Sequence, residues 1–108
     1  MVFWEFKDKP LPGYEDTVKM FYRAKLIVAP HGAGLSNILF SQPGSTVVEV
    51  LCNPRPNPCY KDVALALGHR YIGLLSEPVS YKGHCGAMKV DLTYFKQVIG
   101  SVLWTDQY

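Results

Sequence analysis

The sequence lacks what would mark a membrane, nucleic-acid or structural-metal protein. No apolar run approaches the roughly 18 residues that cross a bilayer, which argues against a spanning helix in these 108 residues. An excess of one charge is missing too: 11 Lys and Arg stand against 9 Asp and Glu, for a net charge of +2. The basic residues are scattered rather than patched, so neither nucleic acid nor an anionic membrane is an expected partner. Cysteine is scarce. Cys52, Cys59 and Cys85 show neither Cys-x-x-Cys spacing nor a zinc-finger arrangement with His, which argues against a structural metal. Two readings of these thiols stay open: Cys52 and Cys59 close the Pro-rich loop between them as a small disulfide in an oxidising lumen, or all three are free. Repeats and low-complexity tracts are absent. Met1 leads straight into Val2-Phe3-Trp4-Glu5-Phe6, which reads as a strand rather than a signal peptide. Any targeting segment is then expected outside this chain.

What is present is an ordinary globular balance, 48% hydrophobic and 19% charged, in a length that fits one compact domain. After the strand over 2–6, Lys7 to Gly13 holds two prolines and a glycine and reads as a loop. Tyr14, Val18, Phe21 and Tyr22 recur at helical spacing, with Glu15 and Asp16 in the first turn and Arg23 and Lys25 at the end, as a helix dipole favours. Leu26-Ile27-Val28-Ala29 is a short apolar run typical of a strand covered on both faces. Pro30 to Gly34 forms a tight turn into a helix with Leu35, Ile38 and Leu39 on one face, stopped by Gln42-Pro43-Gly44. Thr46 to Leu51 is a β-branched strand. Asn57 is placed to cap a helix that has Pro58 first, Tyr60, Val63, Ala64 and Leu67 inward, and Gly68 at its end. Tyr71 to Leu75 is a fourth strand, and Ser76 to Val90 a long polar loop. Asp91 caps a last helix with Phe95, Val98, Ile99 and Val102 inward. Strand and helix thus alternate four times. This predicts an α/β, Rossmann-like parallel sheet of about four strands with flanking helices. So small a sheet has a bare edge, which suggests a further partner segment.

In such sheets ligands bind beyond the carboxyl ends of the strands. Of the loops there, Pro30-His31-Gly32-Ala33-Gly34 is the most informative. Gly32 and Gly34 allow close backbone approach, and the helix start near Ala33 offers free N–H groups to a diphosphate. His31 adds a hydrogen bond or a cation, and Ser36 and Asn37 offer polar tips one turn in. A purely structural tight turn explains the glycines equally well. Residue 37 is Asn, so the dinucleotide pattern G-x-G-x-x-G is not met. Glu49 breaks the apolar strand Val47-Val48-Glu49-Val50, and a buried carboxylate is expensive unless paired. It accepts ribose hydroxyls, orients a neighbouring side chain, or simply sits at an exposed edge. Tyr60-Lys61-Asp62 opens a helix at the same rim, while His69 and His84 read as solvated or packing residues.

The run His31-Gly32-Ala33-Gly34-Leu35-Ser36-Asn37, with Leu39-Phe40, Pro43-Gly44-Ser45 and Val47-Val48-Glu49-Val50, resembles the core of the family sixty-one glycosyltransferases. Cys59-Tyr60-Lys61-Asp62, Gly68, Tyr71 and Met88-Lys89-Val90-Asp91 extend the likeness. The family includes protein O-GlcNAc transferases and plant xylan pentosyltransferases. The resemblance implies the C-terminal half of a GT-B-type enzyme that transfers GlcNAc or a pentose from a UDP-sugar to a glycan or glycoprotein hydroxyl. Transfer would proceed with inversion and without a cofactor or essential metal. By the same likeness His31, Gly32, Ala33 and Gly34 line the diphosphate, and Ser36, Asn37 and Glu49 help hold the uridine or the sugar. It also implies the ER or Golgi lumen and an N-terminal half, outside this chain, that supplies much of the acceptor site. Inversion needs a general base. No residue is singled out for it, though His31 is conceivable. Two other classes remain: a non-catalytic domain that keeps the fold, and a dinucleotide module. The latter is disfavoured, since Glu49 lies inside its strand and 15 residues past Gly34.

Overall fold

The computed structural model describes residues 12–77 and 88–107, with side chains through Trp104. The strand expected over 2–6 and most of the long polar loop lie outside the described residues.

The first described element, α1 (Tyr14–Arg23), has acidic residues in its first turn and Arg23 in its last. Its first turn closes where the Thr17 N–H donates to the Gly13 carbonyl at 3.0 Å. Its inner face differs from the expected one. Thr17 and Phe21, one turn apart, are buried, whereas Tyr14 and Tyr22 are exposed. Tyr14 instead lays its ring edge-on against Phe40, with centroids 5.8 Å apart.

Three parallel strands follow: β1 (Leu26–Pro30), β2 (Thr46–Leu51) and β3 (Arg70–Leu75), ordered β1-β2-β3. The expected sheet of about four strands is therefore three-stranded among the described residues. β2 lies in the middle, which is why five of its six residues are buried. The register sets Ala29, Glu49 and Gly73 side by side across the sheet. Because side chains alternate in a strand, Val47, Glu49 and Leu51 share one face. Val47 packs there with Ile27 of the neighbouring strand and with Phe21, Leu35, Ile38 and Ala64 from helices on that side.

The segment Ala33–Phe40 is a 3-10 helix rather than the expected α-helix. Three residues per turn put Leu35 and Ile38 on one line, and both are buried. Leu39, one position off that line, is 61% exposed rather than inward. Gly44 then turns the chain with φ +89°. α2 (Cys59–Ala66) begins where the Asn57 side-chain oxygen accepts the Cys59 N–H at 3.0 Å. It ends in Gly68, whose φ of +79° suits a residue without Cβ, and whose carbonyl accepts the Gly44 N–H at 2.9 Å. α3 (Leu92–Gln107) is capped by the Asp91 carboxylate accepting the Tyr94 N–H at 2.8 Å. Val102 is buried and Phe95, Val98 and Ile99 are half-buried, as their spacing predicts. Among the described residues no helix is long and apolar enough to cross a membrane.

Both readings of the cysteines need correction. Cys52 is disulfide-bonded, and Cys59 is a free, exposed thiol. Cys52 is buried just past β2, whereas the three-proline loop carries Cys59 out to the exposed start of α2. The third cysteine, Cys85, lies outside the described residues.

Two glycine substitutions should move stability in opposite directions. Gly68→Ala forces a side chain into left-handed backbone and should cost about 1 kcal/mol. Gly100→Ala, inside α3 with open space where its Cβ would stand, should add roughly 0.5–1 kcal/mol. Urea unfolding of the two variants checks both signs.

Candidate functional site

The site grows from Glu49. Its side chain is fully buried in the middle of the central strand, so the exposed-edge reading is excluded. A carboxylate there is stable only with strong donors at both oxygens. The fold supplies two. One oxygen accepts from Tyr71 OH at 2.5 Å, and the other meets His31 Nδ1 at 2.6 Å. Tyr71 arrives from β3. His31 arrives from just past β1, where its backbone N–H donates to the Val50 carbonyl at 2.9 Å and prolongs the β1–β2 ladder by one bond.

Small neighbours make this possible. Ala29 and Gly73 flank Glu49 in the adjacent strands. A Cβ on Gly73 would stand 3.0 Å from Leu51 Cδ1, 3.3 Å from Tyr71 Cε1 and 3.4 Å from Tyr71 OH. The Tyr71 ring therefore leans along its own strand over the bare Gly73 backbone to reach the carboxylate. Burial first, and then the hydrogen bond and charge of Glu49, raise the Tyr71 pKa far above the ordinary phenol value, so it remains a donor. Tyr60 packs from α2 against the His31 ring, with centroids 5.2 Å apart and planes tilted by 55°. Its pKa is also raised, mainly by burial and then by Cys59 and Glu49.

These contacts fix the state of His31. A carboxylate only accepts, so the proton between it and the imidazole belongs on Nδ1. In the neutral ring Nε2 then carries the lone pair. The His31 side chain keeps 31% of its surface exposed.

Next to His31, Gly32 is extended, with φ 168° and ψ 169°. A Cβ there would meet only the Pro30 carbonyl oxygen, at 4.0 Å. Neither backbone angle nor packing demands glycine at this position, so a purely structural tight turn does not account for it. The 3-10 helix closes its first turn where the Leu35 N–H donates to the Gly32 carbonyl at 3.0 Å. The N–H groups of Ala33 and Gly34 precede that bond and stand outside the helix's own ladder. Ser36 Oγ donates to the Ala33 carbonyl at 2.6 Å, and Asn37 Nδ2 to the Gly34 carbonyl at 3.0 Å. Both side chains thus brace the turn. Of the roles open to Glu49, its geometry supports orienting His31, because both oxygens are already engaged.

A cleft of about 440 Å³ opens at the carboxyl ends of β2 and β3, lined by Leu51, Pro56, Pro58, Lys61, Tyr71 and Gly73. Tyr71 joins its wall to the buried carboxylate. The loop beside it is tied down where Asn53 donates to Ser76 Oγ and to the Ser76 carbonyl, each at 3.2 Å. Another cleft, about 300 Å³ and lined by Thr46, Arg70, Tyr71, Ile72, Ser101 and Val102, sits toward the amino ends of β2 and β3, so Tyr71 borders both. Parallel sheets bind ligands at their carboxyl ends, so the first is the better placed. Among the described residues no three His, Cys, Asp or Glu side chains gather as a metal site. His69 is buried rather than solvated, with Nε2 3.3 Å from the Ile38 carbonyl.

Sequence reasoning found His31 and Glu49 separately but not their contact, and it missed Tyr71 and Gly73 as parts of the site. Gly73 faces Glu49 in the next parallel strand and Tyr71 stands two residues before it, and finding either needs the strand order, which local periodicity does not carry.

The model of the family described as Glycosyltransferase 61 matches residues 2–48. This supports membership of that family and, with it, glycosyl transfer in general. The matched stretch contains the His31–Gly34 turn and ends one residue before Glu49. Comparison with curated proteins finds no match.

Tyr71 should titrate as the structure dictates. A phenol whose folded pKa is raised stabilises the fold below its unfolded value, about 10, and that contribution is lost as pH rises through the folded value. Absorbance titration should show one tyrosine ionising well after the exposed ones. Tyr71→Phe should abolish that late step and lessen the fall in stability above about pH 10.

Proposed function

We propose, on the premise that the chain belongs to the glycosyltransferase 61 family, that it is the donor-binding domain of a UDP-sugar-dependent transferase. The observation that carries this reading is a fully buried carboxylate on the central strand, with both oxygens committed to holding side chains at the sheet's carboxyl rim. A fold needs no such group for stability, since a well-packed apolar residue would serve as well or better. Buried carboxylates that hold other side chains in this way gather at functional sites.

In this reading the diphosphate lies against the backbone of Gly32, Ala33 and Gly34. The bare Gly32 lets it approach, and the N–H groups of Ala33 and Gly34 meet its charge. Ser36 and Asn37 hold the turn in shape. The cleft beside Tyr71 and Lys61 takes the sugar or uridine side of the donor. Backbone donors bear the diphosphate charge, so the transfer runs without a metal, and it inverts the anomeric centre. The acceptor, a glycan or glycoprotein hydroxyl, is presented by a second half of a GT-B-type enzyme. GlcNAc and pentose donors both fit this scheme. The ER or Golgi lumen is the proposed compartment, and the Cys52 disulfide fits its oxidising conditions.

Calorimetric titration with UDP tests the reading. Binding should be weak, with Kd on the order of 0.1–1 mM, or about −4 to −5.5 kcal/mol. Gly32→Val should weaken it at least tenfold while the melting temperature stays within about 2 °C, because the added side chain meets open space in the protein but occupies the ligand's path. Gly34→Val should weaken it likewise. No heat of binding from a well-folded chain would sink the donor-site proposal and favour a non-catalytic domain.

A further inference from the structure

We propose that His31 is the proton acceptor of the transfer, with Nε2 as the reacting atom and Glu49 as its positioning residue. This rests on the glycosyl-transfer reading above and adds the group that inversion requires. Three observations converge on it. Nδ1 is taken by a carboxylate that is itself immobile, fully buried and held from its other side by Tyr71. The only polar ring atom left is Nε2, and in the tautomer that a carboxylate imposes it bears a lone pair. The ring stands at the carboxyl end of the sheet, backed by Tyr60 and directly before the bare Gly32 backbone.

A neutral imidazole of this tautomer has no N–H to offer a phosphate. It can accept a proton, and the buried charge at its back then stabilises the imidazolium that results. The step balances simply. The acceptor hydroxyl gives its proton to Nε2 as its oxygen forms a bond to the anomeric carbon. The bond from that carbon to the diphosphate oxygen breaks, and its electron pair leaves with UDP. The partly exposed ring afterwards releases the proton to water.

Among the described residues, Glu49 from β2 and Tyr60 from α2 meet the ring, Tyr71 from β3 stands behind the carboxylate, and the Cys59 thiol acts on Tyr60. At neutral pH both phenols stay protonated, because their pKa values are raised. Among the described residues, Glu49 is the carboxylate in direct contact with the ring.

The test uses this chain, labelled with ¹⁵N in its imidazoles, and UDP as the probe. At pH 7.5 His31 should show a protonated Nδ1 and a bare Nε2, and saturating UDP should leave that pattern in place. His31→Ala should keep UDP affinity within about twofold. With water serving as the acceptor hydroxyl, it should also slow UDP release from UDP-GlcNAc or UDP-xylose about 100-fold or more. Glu49→Gln, which removes the carboxylate but keeps its shape, should loosen the preference for the Nδ1–H tautomer and slow UDP release with it. Protonation of Nε2 on adding UDP, or a tenfold loss of UDP affinity in His31→Ala, would make His31 a phosphate ligand and overturn the proposal. Unchanged UDP release in His31→Ala would overturn it too. Absence of UDP binding in every variant, with the Nδ1–H tautomer intact, would instead count against the donor-site reading.

Discussion

The structure is organised around one costly group, the Glu49 carboxylate in the middle of the central strand. Leaving such a charge in a protein interior without donors costs several kcal/mol. The sheet must therefore deliver two donors at the same depth, one from each side. That requirement fixes the register of three strands at once. A slip of β3 by one residue would turn Tyr71 to the opposite face of the sheet and leave one oxygen bare. A slip of β1 would withdraw His31 in the same way. Apolar packing of Ile27, Val47 and Leu35 against the helices already disfavours a slip. The polar row adds a second constraint on the same alignment.

Room for the polar row comes from what is missing beside it. Ala29 and Gly73 are the partners of Glu49 in the neighbouring strands, and neither fills the space next to the carboxylate. Gly73 weakens β3 as a strand, because glycine has no side chain to pack and loses the most backbone entropy. The return is that the Tyr71 ring lies over it and reaches Glu49. The same residue then lines the cleft at the carboxyl end, so one ring both satisfies the buried charge and shapes the surface above it. Stability and site geometry are coupled through Tyr71.

Much of this was legible along the chain and some was not, for physical reasons. Strand positions follow from local apolar runs, and Thr46–Leu51 falls where its β-branched residues predict. Caps are local too, which is why Asp91 acts as its position suggests, while Asn57 still accepts the Cys59 N–H although Pro58 rather than Asn57 stands at the N-cap of α2. The form of the helix after His31 was hidden, since Leu35, Ile38 and Leu39 satisfy an α-helical stripe as readily as a 3-10 one. Only the exposure of Leu39 separates them. Glu49 stood out because it interrupts an apolar strand, and His31 because it precedes a glycine turn. Their contact spans 18 residues of sequence, and that between Tyr71 and Glu49 spans 22. Pairings of that range depend on strand order, which periodicity does not encode. The cysteines were illegible for the same reason: the two open readings, a Cys52–Cys59 bridge or three free thiols, both yield to a fold in which Cys52 is bridged and the loop carries Cys59 away as a free thiol.

The two parts of the rim also divide their chemistry without overlap. Charge on a leaving diphosphate calls for N–H donors, and the backbone at Ala33 and Gly34 offers them without any ionisable group. Activation of a hydroxyl calls for an acceptor, and a histidine tied to a carboxylate through Nδ1 offers that at Nε2. Were His31 the diphosphate ligand, Nε2 would have to carry a second proton before the donor arrives, and the ring could then accept none from the hydroxyl. Were Glu49 absent, the ring would be free to present either nitrogen, and neither role would be fixed. The buried carboxylate thus does for the imidazole what the bare Gly32 does for the backbone beside it. It restricts one group to one task, and the proposed division between donor binding and proton transfer follows from that restriction.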